Sequence, residues 1–74
     1  MVRIDELEER LAAALPGAAI EVADTTGEGD HFEVRIRAAA FAGLGLVEQH
    51  RLVYGALGDL MPRIHALSLR TEPA

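Results

Sequence analysis

The chain has 74 residues, with seven arginines, no lysine, twelve acids, no cysteine and a net charge of −5. That length fits one small domain spanning residues 1–74 with a thin core, and the lack of thiols rules out both a disulfide staple and an iron–sulfur cluster held by this chain alone. The acidic balance argues against a strong nucleic-acid binder, and no apolar run nears the roughly 20 residues of a membrane span.

Residues Met1 to Glu6 turn acidic too early for a signal peptide, so the cytoplasm is the expected compartment. The missing cysteine fits a reducing environment. Residues 1–33 carry nine acids and two arginines, whereas residues 34–74 carry three acids and five arginines. An acidic half and a mildly basic half can orient a charged partner, and ordinary solubility charge fits as well.

Ile4, Leu7, Leu11, Ala14 and Leu15 form one apolar stripe at helical spacing, with Asp5, Glu6, Glu8, Glu9 and Arg10 outside it. The early acids suit the positive end of a helix dipole. This predicts a helix over residues 3–14, ended by Leu15-Pro16-Gly17, because a residue before proline is pushed out of the helical region. Residues 20–25 alternate as a strand, and Gly27-Glu28-Gly29-Asp30 is turn chemistry. Phe32, Val34 and Ile36 alternate with Glu33, Arg35 and Arg37, which predicts a second strand. The two strands should form a hairpin, with Glu21 facing Arg35 or Arg37.

Phe41 reads as a core plug under a short turn. From Leu46 the helical period returns. Leu46, Val53, Leu57 and Leu60 lie on one stripe, with Glu48, Gln49 and Arg51 outside. Gly55 and Gly58 fall inside this predicted helix, each at a cost of about 1 kcal/mol relative to Ala, which suggests close packing. Pro62 is expected to end it. Ile64 to Leu69 reads as a third strand, followed by a frayed tail from Thr71. The order is α-β-β-α-β, an α+β fold. A helix between the second and third strands allows a right-handed parallel crossover, giving a mixed sheet. Both helices should cover one face, leaving Arg35, Arg37 and Arg70 on the open one.

Three histidines carry the remaining chemistry. His31 starts the second strand and His65 the third. Parallel neighbouring strands lie about 4.8 Å apart, so both imidazoles fall at one sheet edge. Parity, however, turns His31 outward with Glu33 and His65 inward with Leu67, and the two converge only in the loops ahead of regular pairing. Ligands also favour the carboxyl ends of strands in open α/β sheets, not the amino ends. From spacing alone, His65 reads as a rim histidine bonded to backbone. His50 reads as a mid-helix packing residue.

Phe41-Ala42-Gly43-Leu44, Gln49-His50-Arg51-Leu52-Val53-Tyr54, Leu60-Met61 and Ile64-His65-Ala66-Leu67-Ser68-Leu69 together resemble the BolA-like proteins. The loop Gly27-Glu28-Gly29-Asp30-His31-Phe32 resembles the histidine-type version of that family. The resemblance covers about residues 4–71. It implies a fold related to class II KH domains and a monothiol glutaredoxin as partner. The pair would share a 2Fe–2S cluster, with a cysteine from the glutaredoxin and a thiolate from bound glutathione. This chain would bring His65 and His31. Such a chain would be a non-enzymatic partner in iron–sulfur trafficking or iron-responsive stress regulation, and alone a monomer or weak homodimer. Gln49-His50-Arg51 stands where many relatives have Arg-His-Arg, one positive charge fewer beside His50.

Other constellations are weaker. Gly55-Ala56-Leu57-Gly58 matches the G-x-x-G of KH domains, yet it sits in an apolar stripe without a neighbouring arginine and reads as helix packing. Arg35, Arg37 and Arg70, with Arg51 and Arg63 elsewhere, offer contacts to phosphates, and some BolA-like proteins are described as DNA-binding transcriptional regulators. That reading competes with a solvated, salt-bridged sheet, since no aromatic platform accompanies the arginines. A module docking through the second helix, its histidines incidental, is a third reading. An enzyme is not indicated, because Ser68 is the one serine and lies in a strand, and the glutamates of the first helix form its wet face.

Overall fold

A computed structural model describes residues 2–74. Helix α1 (Ile4–Ala14) is followed by strands β1 (Ala19–Asp24) and β2 (His31–Ala38), helix α2 (Leu46–Leu57) and strand β3 (Ala66–Pro73), with 3-10 turns at Ala39–Phe41 and Gly58–Arg63. The strands form one sheet in the order β1-β2-β3. β1 and β2 pair antiparallel, and β2 and β3 pair parallel. This is the α+β, α-β-β-α-β arrangement expected.

The acids of α1 act at its start. Glu6 accepts a hydrogen bond from the Arg3 N–H at 3.2 Å, and Asp5 accepts one from the Glu6 N–H at 3.1 Å. They satisfy amides that have no partner within the helix and sit at the positive end of its dipole. At the other end Leu15 leaves the helical conformation, with φ −127° and ψ 71°, before Pro16.

On β2, Phe32, Val34, Ile36 and Ala38 are buried while Glu33, Arg35 and Arg37 are exposed. The buried face meets Leu7 and Leu11 of α1, Val53 and Leu57 of α2, and Leu15, Phe41, Leu60 and Ile64 from the connections. Phe41 is fully buried, as its role of plug requires. Burying each such side chain contributes roughly 1.5–3 kcal/mol. Glu21 faces Arg35 in register and approaches it at 3.9 Å, whereas Arg37 pairs with Glu72 of β3 at 3.3 Å.

Several expectations are corrected. Ile4 and Ala14 are exposed, so the buried residues of α1 are Leu7 and Leu11, with Leu15 buried just beyond its end. Leu46 is 62% exposed and lies outside the core. Gln49, expected outside, is buried. Its amide donates to the Leu44 carbonyl at 2.9 Å, and its carbonyl accepts from the Thr71 hydroxyl at 2.6 Å. A buried polar group needs such partners, and here they tie α2 to β3. That tie also explains why the tail from Thr71 is strand rather than frayed. The pairing Ile36 with Thr71, Arg37 with Glu72 and Ala38 with Pro73 carries β3 to its end.

The two glycines play opposite parts. Gly58 ends α2 with φ +46° instead of lying inside it, so Pro62 falls in the following 3-10 turn. Arg10 of α1 reaches over that end, donating to the Leu57 carbonyl at 3.3 Å and to Asp59 at 2.7 Å. Gly55 is exposed, and a Cβ there would meet nothing within 4 Å, so close packing does not explain it. Gly55→Ala is therefore expected to stabilise the fold by about 1 kcal/mol. Gly58→Ala is expected to destabilise it by about 1–3 kcal/mol through its positive φ. Urea unfolding of the two variants checks both signs.

Candidate metal-binding site at the histidine pair

The hairpin loop that delivers His31 is shaped by Asp24. Its Oδ1 accepts the N–H groups of Thr26 at 3.2 Å and Gly27 at 2.8 Å, and its Oδ2 accepts that of Gly29 at 2.9 Å. Gly27 and Gly29 take φ values of +78° and +74°, which residues with a Cβ rarely adopt. The Gly29 carbonyl accepts the Val2 N–H at 3.0 Å, and the buried Val2 thereby pins the loop to the core. Thr25 closes the base, donating both its N–H and its hydroxyl to the His31 carbonyl.

His31 is the first residue of β2 and sits opposite Ala66 in the parallel ladder. His65 lies one residue before β3 and is exposed. Its N–H and that of Ala66 both donate to the Asp30 carbonyl, at 2.7 and 3.0 Å. The two imidazoles end with centroids 4.9 Å apart, their planes inclined by 48°. Strand parity does not separate them, because His65 stands just outside the ladder, where alternation no longer dictates direction.

Asp30 also contacts His31 directly, with 2.9 Å between Oδ1 and Nδ1, and Oδ1 accepts the Thr26 hydroxyl at 3.1 Å. The hydrogen bond from His31 holds the Asp30 carboxyl below its ordinary range; the Thr26 bond and the charges of His31 and His65 add to this against partial desolvation. The contact joins a carboxylate oxygen to Nδ1, so a neutral ring protonated on Nδ1 would donate here and leave the lone pair on Nε2.

The centroid spacing of the pair equals that of two imidazoles sharing one first-row metal ion. With metal–nitrogen bonds of about 2.1 Å, two imidazoles at roughly 100° on one ion have centroids about 5 Å apart. Among the described residues no group of three or more His, Cys, Asp or Glu side chains is arranged to hold a metal ion. Two nitrogens do not fill a coordination sphere. A metal here would take its other ligands from a second molecule.

His50 is not part of this pair. It lies half-buried in α2 with its ring edge-on to Tyr54, centroids 6.3 Å apart, and its buried Nε2 has no hydrogen-bond partner among the described residues. Arg51 is exposed on α2, and Arg63 lies 3.7 Å from Glu6. On the open sheet face Arg35 and Arg70 are register partners. Among the described residues Arg70 makes no ion pair, in contrast to Arg35 and Arg37. Two residues that organise the site, Asp24 and Asp30, were read from the sequence only as strand end and turn. The signal available was an acid immediately before a histidine.

The sequence model of the family described as BolA-like protein matches residues 11–74. The chain is similar to Protein BOLA2 of Arabidopsis thaliana, 39% identical over 71 residues that cover 95% of this chain and 76% of that one. It is similar to the DNA-binding transcriptional regulator BolA of Escherichia coli, 33% identical over 79 residues that cover 96% and 74%. The fold matches the crystal structure of a Bol-like protein from Babesia bovis with a TM-score of 0.89 at 34% identity, over 99% of this chain and 86% of that one.

Because the folded-state pKa of Asp30 is depressed, its contact with His31 stabilises the fold above the unfolded carboxylate range and is lost as pH falls through the lowered value. Exposure and salt keep that contribution small. His31→Ala is expected to move the Asp30 titration midpoint upward, read by carbon-detected NMR of the carboxyl. An unmoved midpoint would show that the contact is not formed in solution.

Proposed function

The chain belongs to the BolA-like protein family, and from that premise we propose that it is a non-enzymatic partner of a monothiol glutaredoxin, completing a shared 2Fe–2S cluster through His65 and His31. The observation that carries this reading is the 4.9 Å approach of the two rings at the start of the β2–β3 pair. The site offers nitrogen donors and no thiolate. Such a set complements a partner that brings sulfur. Replacing two thiolates by two imidazoles on one iron raises the potential of a 2Fe–2S cluster. The chain's own part is positional. Asp24 and Val2 set the loop, the Asp30 carbonyl sets the start of β3, and the two imidazoles reach solvent side by side.

The expected function is trafficking of such clusters or regulation in response to iron. Titrating the chain into a cluster-loaded monothiol glutaredoxin is expected to change its visible circular dichroism. His65→Ala should abolish the change, and His31→Ala should weaken it. A spectrum that wild-type chain leaves unchanged would overturn the reading.

A second reading, a DNA-binding regulator, is favoured by the name of the Escherichia coli relative and by the neighbouring Arg35 and Arg70. Against it, Glu21 and Glu72 pair with Arg35 and Arg37 on the same face, and the whole chain is acidic. This reading predicts affinity for duplex DNA that falls steeply with salt and drops on Arg35→Glu or Arg70→Glu. No binding at low ionic strength would remove it.

A further inference from the structure

One residue touches both histidines. The side chain of Asp30 contacts Nδ1 of His31 at 2.9 Å, while its main-chain carbonyl holds the N–H groups of His65 and Ala66 at 2.7 and 3.0 Å. The Oδ1 that meets His31 is itself held by the Thr26 hydroxyl. Thr26 in turn is placed by the carboxylate of Asp24. A chain of hydrogen bonds thus runs from the strand end at Asp24, across the turn, to the imidazole of His31. Among the described residues the other ring nitrogen, Nε2, has no hydrogen-bond partner and is not buried, so it is open to a ligand.

We propose that Asp30 is the positioning residue of this site: its carboxylate fixes His31 as the Nδ1–H tautomer with Nε2 presented for coordination, and its carbonyl seats His65 beside it. The physical reason is general. An imidazole ligand binds through one nitrogen, and the hydrogen bond made by the other decides which nitrogen that is and how the ring is turned. A carboxylate as acceptor also raises the basicity of the coordinating nitrogen. Asp30 is assigned this holding part rather than a ligand's, because its Oδ1 is shared between Thr26 and His31 and, among the described residues, no three His, Cys, Asp or Glu side chains are arranged to hold a metal ion. The division of labour within Asp30 makes the idea separable. Substitution removes the carboxylate, but every residue type keeps the carbonyl that holds His65. What His31 binds rests on the shared-cluster reading; how His31 is held does not.

The first measurement uses the chain alone. Long-range proton–nitrogen NMR of the imidazoles, at a pH where they are neutral, is expected to show His31 protonated on Nδ1. Asp30→Ala should release that preference, while Asp30→Asn, which keeps an acceptor oxygen, should largely restore it. The His65 amide should stay protected from hydrogen exchange in both variants, because its acceptor is main chain. An Nε2–H tautomer in the unaltered chain, or an Asp30→Ala variant with the tautomer unchanged, overturns the proposal.

The second measurement titrates the same variants into cluster-loaded monothiol glutaredoxin. Asp30→Ala is expected to weaken the spectral change by about 10–100-fold in concentration, the usual cost of losing a carboxylate behind a histidine ligand. A variant that titrates like the unaltered chain overturns the coordinating half of the proposal. If the unaltered chain itself leaves the spectrum unmoved, it is the shared cluster that fails, and the tautomer measurement still decides the part played by Asp30.

Discussion

The carbonyl of Asp30 accepts two amide protons, from His65 and Ala66, and the parallel pairing of β3 on β2 begins there. Everything that gives this small molecule a site depends on that register. A slip of one residue would turn Leu67 and Leu69 away from the core and carry His65 away from His31. Burial opposes the slip, because Leu67 and Leu69 pack against a core already filled by Phe32, Val34 and Phe41. At the far end of the strand the Thr71–Gln49 hydrogen bond opposes it too. The site is thus placed by forces that have nothing to do with its chemistry.

Polar side chains do more of the organising than a 74-residue chain's apolar pattern suggests. Asp24 folds the hairpin loop, Gln49 bridges α2 to β3, and Arg10 covers the carbonyl end of α2 while bonding Asp59. Each satisfies backbone groups that the short elements leave open, and an unsatisfied buried group of this kind costs about 1–3 kcal/mol. In a fold whose margin is on the order of 3–5 kcal/mol, such ties decide whether connections hold one shape. The connection that benefits most is residues 25–30, which carries Asp30 up to His31.

The electrostatics follow the same division. The open sheet face is a lattice of opposite charges, Glu21 with Arg35 and Arg37 with Glu72, solvated and worth little individually. The histidine edge is different in kind. There an acid contacts one imidazole directly at 2.9 Å, and the second imidazole lies beside the first with centroids 4.9 Å apart. A docking partner that supplies sulfur would meet nitrogens already arranged, which lowers the ordering cost of association.

Much of the fold was legible in the chain. The alternation of Phe32, Val34 and Ile36, the stripe of Leu7 and Leu11, and the stop at Leu15-Pro16 each reflect a local rule, because strand pleat, helix period and proline sterics act within a few residues. His31 and His65 were legible as a pair by their places at the two strand starts and by family resemblance. What was misread involved partners distant in sequence. Gln49 is buried because Thr71 and Leu44 meet its amide, and Gly58 ends a helix whose carbonyl end Arg10 covers. The sequence by itself determined which residues alternate, which coil and which carry nitrogen. Only the tertiary structure decided that His65 lies just outside the ladder and that Asp30 meets the ring of one histidine and the main-chain N–H of the other, because a hydrogen bond across 35 residues is set by the packing of the whole sheet, not by any neighbour in the chain.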